Sequence, residues 1–143
     1  MLELEMKNVL ILHGWGQSKD HWSQIATMLT NQSIKAEAID LPGFGQEPLP
    51  SEDWGIAEYA DWVITYIEKN YRKTSLTLVG HSFGGRITSY IAAKNPGFLE
   101  SIVLIGSPSL YRPDKSVRFR IAFYKLIKKF FPLSLRRSFY AKE

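Results

Sequence analysis

Five residues near the middle of the chain, Gly80-His81-Ser82-Phe83-Gly84, stand directly between an apolar run that reads as a strand and a pattern that reads as a helix. A strand that turns into a helix without an intervening loop leaves no room beside the bend, so small residues must flank it. The serine at the apex is then pushed out at the carboxyl end of the sheet. The amide dipoles of the following helix point at the same spot. The G-x-S-x-G pattern alone is weak, because a chain this long meets it by chance with probability roughly 0.05. Out of context it reads equally well as a glycine-rich turn with an incidental serine. Its setting is what constrains the fold.

Four short apolar runs predict strands over 8–12, 35–39, 75–79 and 101–105. The first and last are nearly continuous in aliphatic residues, which suits strands buried on both faces of a parallel sheet. Helical spacing appears over 21–30 (Trp22, Ile25, Ala26, Leu29), 56–71 (Ile56, Ala60, Val63, Ile67) and 83–94 (Ile87, Tyr90, Ile91). The last of these stops at Asn95-Pro96, where proline blocks continuation. Strand and helix alternate, so the expected class is α/β with right-handed crossovers.

Charge separates the chain into two parts. Residues 1–111 hold 8 basic and 12 acidic side chains, a balance of −4, whereas residues 112–143 hold 10 and 2, a balance of +8. The basic pI therefore belongs to a tail, and nucleic-acid binding does not follow from it. The turn chemistry of Ser107–Pro113 marks the boundary. Residues 117–131 then predict a helix with Phe119, Phe123, Leu126, Ile127 and Phe130 on one face, ending at Pro132. With 143 residues there is room for one domain. The absence of cysteine excludes disulfides and cysteine-ligated zinc. It also suits a reducing compartment, and with the acidic start Met1–Lys7 it gives a cytoplasmic expectation. No apolar run approaches the ~18–20 residues of a membrane span.

His13-Gly14-Trp15-Gly16 follows the first strand directly. Acyl transfer needs hydrogen-bond donors where the tetrahedral oxyanion develops. Two backbone N–H groups can supply them, one after the nucleophile (Phe83) and one from this early loop (Trp15). His13 itself reads as a structural histidine bonding neighbouring backbone. Asp40, at the head of Asp40-Leu41-Pro42-Gly43-Phe44-Gly45, reads as a short acid tying down a tight turn rather than as a catalytic acid.

H-G-W-G, D-L-P-G-F-G and G-H-S-F-G-G, in this order and on these strand ends, resemble the α/β-hydrolase fold, with its lid-bearing esterases closest in pattern. The resemblance covers roughly residues 8–107. It implies a three-layer α/β/α domain with a mostly parallel sheet, and a serine nucleophile at Ser82. It also implies oxyanion amides at Trp15 and Phe83, an elbow of Gly80, His81 and Gly84, and an oxyanion loop of His13, Gly14 and Gly16. The substrate it implies is a small acyl or ester compound, with no metal, no organic cofactor and no nucleic acid. Residues 1–111 correspond to the first part of the core, and 112–143 to the start of a basic helical lid.

One departure stands out. In this family an acid and then a histidine follow the serine. After Ser82 this sequence has no histidine, and its only carboxylates are Glu100, Asp114 and Glu143. A serine without a base is a poor nucleophile at neutral pH, and loss of the base typically costs ~10^6-fold in turnover. The expectation is a sheet truncated before its last strands and a chain inactive alone. The apolar edge at 101–105 would then be open to a complementing C-terminal chain or to self-association. The alternative is a non-catalytic binding protein that docks partners through this edge or through the basic helix, which could also lie on an anionic membrane surface.

Overall fold

The computed structural model describes residues 7–71 and 74–107. The strands are β1 (Asn8–Leu12), β2 (Lys35–Ile39), β3 (Leu76–His81) and β4 (Leu99–Ile105). Between them lie α1 (Ser23–Thr30), α2 (Ile56–Asn70) and α3 (Phe83–Ala93). The strands form one parallel sheet in the order β2-β1-β3-β4.

β1 is central, pairing with β2 on one side and β3 on the other. Its pleat sends Leu10 and Leu12 into a core with Leu76, Leu78, and Val63, Ile67, Ile87 and Ile91 from α2 and α3. Val9 and Ile11 point the opposite way, against Trp22 and the partly buried Ala26 and Leu29 of α1. Helices therefore cover both faces, and the fold is three-layered α/β/α around a parallel sheet. Each fully buried Leu or Ile here contributes roughly 1.5–3 kcal/mol relative to exposure. The ends of the helices are set locally. The Glu58 carboxylate accepts the Gly55 N–H at 2.8 Å before α2, and beyond α3 Asn95 turns to φ 48° ahead of Pro96.

Three expectations are corrected. The segment 21–30 does not form one helix: Lys19–Trp22 is a separate 3₁₀ turn, and α1 begins at Ser23. His21 Nδ1 accepts the Ser18 N–H at 3.2 Å, which tightens that turn and delivers Trp22 to the core. β3 continues through Gly80 and His81, because β1 and β4 pair with its end (Leu12 with Gly80, Ile105 with His81). β4 begins two residues early and is not buried on both faces. Ile102, Val103 and Ile105 are exposed, since among the described residues β4 pairs only with β3. The predicted helix over 117–131 and the predicted lid over 112–143 lie outside the described residues.

The winding reverses at β1. The chain reaches β2 through α1, crosses back to β3 through α2, and goes on to β4 through α3. The carboxyl ends of β1 and β3 thus flank the switch point, the place where open α/β sheets bind ligands. The loop after β1 carries His13–Gly16, and the bend after β3 carries Ser82.

Candidate functional site

Ser82 joins β3 to α3 with φ 48° and ψ −105°. A non-glycine residue there costs on the order of 1–3 kcal/mol, so its surroundings must hold it. The Ser82 N–H donates to the Ile105 carbonyl at 3.0 Å, and its own carbonyl accepts the Arg86 N–H at 3.1 Å. Ser107 Oγ adds a bond to the same carbonyl at 3.2 Å. The flanking glycines make the bend possible. A Cβ on Gly80 would lie 2.5 Å from Gly85 Cα and from Thr88 Oγ1, and a Cβ on Gly84 would run into the Leu12 carbonyl. The Gly84 N–H instead donates to the His13 carbonyl at 3.1 Å, latching the bend to the β1 loop.

The Ser82 side chain is half-buried at the N-terminus of α3, and its Oγ has no hydrogen-bond partner among the described residues. The next residue, Phe83, opens the helix, so its N–H has no intrahelical partner. Trp15 is brought onto it from the other loop, the two rings meeting edge to face at 5.1 Å. Phe44 packs against Trp15 at 5.1 Å, and Tyr59 against Phe83 at 5.0 Å. A serine hydroxyl at a positive helix end, walled by aromatic rings, favours developing negative charge and disfavours bulk water.

The histidines are otherwise engaged. His13 is buried, accepts the Leu41 N–H through Nε2 at 3.0 Å, and contacts the Gly14 carbonyl through Nδ1 at 2.8 Å. Nε2 must accept, so Nδ1 carries the proton and donates. Burial pushes His13 below its ordinary 6.5, against the raising effects of the Gly14 carbonyl and Asp40. The ring is a neutral strut with both nitrogens occupied. His81 leaves the bend away from Ser82, lying 5.5 Å from the Trp22 ring with Nδ1 3.2 Å from Gln17 Oε1. His21 is held at the exposed 3₁₀ turn by Ser18.

Asp40 is a buried organiser. It accepts the Lys19 N–H at 2.7 Å and the Gln46 N–H at 3.1 Å, joining the 3₁₀ turn to the loop after β2. Burial alone would raise its pKa, but these two amides, the Lys19 ammonium and His13 hold it below its ordinary 3.8. Gly14 and Gly16 complete the β1 loop, Gly16 with φ 73°. Among the described residues no cluster of His, Asp or Glu could hold a metal ion.

Sequence reasoning passed over Gln17 and over the aromatic wall of Phe44 and Tyr59, the latter backed edge to face by Trp54 at 5.3 Å. Phe44 was visible inside the D-L-P-G-F-G turn. Nothing local to Gln17 announces a partner sixty-four residues away.

The architecture defines a class: a three-layer α/β/α domain around a parallel sheet, with a serine at a strand-to-helix bend beside its switch point. A family model described as the alpha/beta hydrolase fold matches residues 7–133. The chain belongs to that family. It is 30% identical over 104 residues to the probable lysophospholipase BODYGUARD 4 of Arabidopsis thaliana, covering 71% of this chain and 25% of the relative. It is likewise 30% identical over 101 residues to the pimeloyl-[acyl-carrier protein] methyl ester esterase of Aeromonas hydrophila, covering 70% and 37%. The thioesterase domain of the curacin biosynthetic pathway superimposes with TM-score 0.73 over 90% of this chain and 47% of its own, at 22% identity, a likeness of fold alone. The chain thus spans about a quarter to two-fifths of these curated relatives.

Proposed function

We propose that this chain carries the nucleophile half of an ester hydrolase. Ser82 Oγ attacks the carbonyl carbon of a small acyl ester and loses its proton to a base. The carbonyl electrons move onto oxygen, where the N–H groups of Trp15 and Phe83 hold the oxyanion. Collapse expels the alcohol and leaves an acyl-serine, which water then hydrolyses. The observation that carries this reading is Ser82 at the switch point with φ 48°, its hydroxyl without a hydrogen-bond partner among the described residues at a helix N-terminus. Relatives named as an esterase and a lysophospholipase support the substrate class. None of the three histidines bonds Ser82, so this reading takes its base from a group other than these histidines. Residues 112–143 are proposed as the start of a helical cap, and the protein as cytoplasmic. Among the described residues no helix is long and apolar enough to cross a membrane.

The test is covalent labelling by a fluorophosphonate, with imidazole added as an external base. Labelling of the parent is expected to depend on imidazole and to vanish in Ser82→Ala. A folded parent that stays unlabelled at every imidazole concentration removes the hydrolase reading. A second reading has its own observation, the exposed apolar edge of β4. In that reading the domain pairs with a complementing chain or with a second copy without catalysis.

A further inference from the structure

We propose that Gln17 is the positioning residue that aims the Trp15 amide at Ser82. This rests on the reading of Trp15 as an oxyanion donor. The Gln17 side-chain oxygen accepts the Gly14 N–H at 3.0 Å and lies 3.2 Å from His81 Nδ1. An oxygen that already accepts one N–H can meet the imidazole nitrogen favourably only if that nitrogen donates. His81 therefore carries a proton on Nδ1, and one carbonyl oxygen, with two lone pairs, joins the β1 loop to the end of β3.

The backbone of Gln17 acts on the same unit. Its N–H donates to the Gly14 carbonyl at 3.2 Å, which also receives His13 Nδ1 at 2.8 Å. That carbonyl and the Trp15 N–H belong to one planar trans peptide, so they point in opposite directions. Holding the carbonyl fixes where the Trp15 N–H is aimed. Gly14 is thus gripped on both of its peptide groups, and Gln17 takes part in both grips. The packing leaves no slack: a Cβ on Gly14 would lie 2.7 Å from His81 Nδ1 and 3.1 Å from Gln17 Oε1. The arrangement also gives His81 a use that is not proton transfer. It supplies the second donor that keeps the glutamine oxygen in place, with its ring braced on Trp22.

Gln17→Met keeps the length of the side chain and removes the acceptor, whereas Gln17→Glu keeps the acceptor. In the parent and in Gln17→Glu, imidazole nitrogen NMR should show His81 protonated at Nδ1, with the Gly14 amide slow to exchange. In Gln17→Met the Gly14 amide should exchange about five- to tenfold faster, as expected for the loss of one net hydrogen bond, and the His81 tautomer should redistribute. Imidazole-assisted phosphonylation of Ser82 should then slow at least about tenfold in Gln17→Met. An unchanged Gly14 amide and His81 tautomer in Gln17→Met overturn the proposal. So does unchanged labelling beside a released Gly14. If the parent itself is never labelled, the ester hydrolase reading fails, and the NMR comparison alone decides whether the clamp exists.

Discussion

The loops above β1 and β3 and the edge strand β4 are both short, and both lie at a border of the sheet, yet they are held in opposite ways. In the loops, buried polar groups reach across the sequence: His13 to Leu41, Asp40 to Lys19, Gly84 to His13. Every one of these bonds joins segments that follow two different strands. Among the described residues β4 has ladder bonds to β3 alone, and Val103 and Ile105 are exposed where none of the described helices covers them. α1 covers Val9 and Ile11 of β1, and α3 reaches β4 from the opposite face. The difference teaches that the surroundings of Ser82 are specified within these residues, while the sheet beside them is not closed by them.

Three substitutions break or sharpen this contrast. Gly84→Val should have the largest effect. It drives a branched side chain into the Leu12 carbonyl at the elbow, and a loss of about 3 kcal/mol or more, read by urea denaturation, is expected. A mild effect would show that the elbow can relax and would weaken the case for a rigid site.

His13→Ala comes next. At pH 7.5 it should cost about 2 kcal/mol, through two lost hydrogen bonds and a cavity. Its pH dependence carries a sign. The folded value of His13 lies below its ordinary 6.5, so the folded state binds fewer protons than the unfolded state in this window. The stabilisation by His13 is full above 6.5 and is lost as the pH falls through the lower folded value. The gap between parent and variant should therefore narrow on acidification. A gap that widens would mean that His13 is held as the cation, contrary to its bond from Leu41.

The smallest effect is expected for Val103→Lys. With Val103 46% exposed on the open edge, stability should change by no more than about 0.5 kcal/mol. Any self-association through β4 should fall, as read by sedimentation, because an edge lysine opposes strand pairing. A cost comparable to that of His13→Ala would show that the edge is covered, and the comparison would fail.

How much of this was legible beforehand follows from the range of each interaction. The alternation of Leu10 and Leu12 with Val9 and Ile11 needs only the pleat, and the end of α3 at Asn95-Pro96 needs only local backbone preferences. The separate 3₁₀ turn at Lys19–Trp22 was hidden, because helical spacing through Trp22 looks the same whether the first turn is tight or regular. The aliphatic run of β4 by its pattern reads as buried on both faces, and only the expectation of a sheet truncated after it pointed to the exposed Ile102, Val103 and Ile105. Asp40 was legible as a turn-former. Its second partner, the Lys19 amide, was not, because that partner comes from another strand's loop.

The chain by itself determined where a bend without side chains had to fall, and which residue would stand at its apex. Gly80, Ser82 and Gly84 state this through size alone. It also determined the apolar periodicities that make the sheet parallel and layered. Only the tertiary structure decided that the Gln17 oxygen would lie between Gly14 and His81, and that His13 would be spent on Leu41. Those facts depend on which strand ends meet in space, and hydrogen bonds between strand ends leave no periodic trace along the sequence.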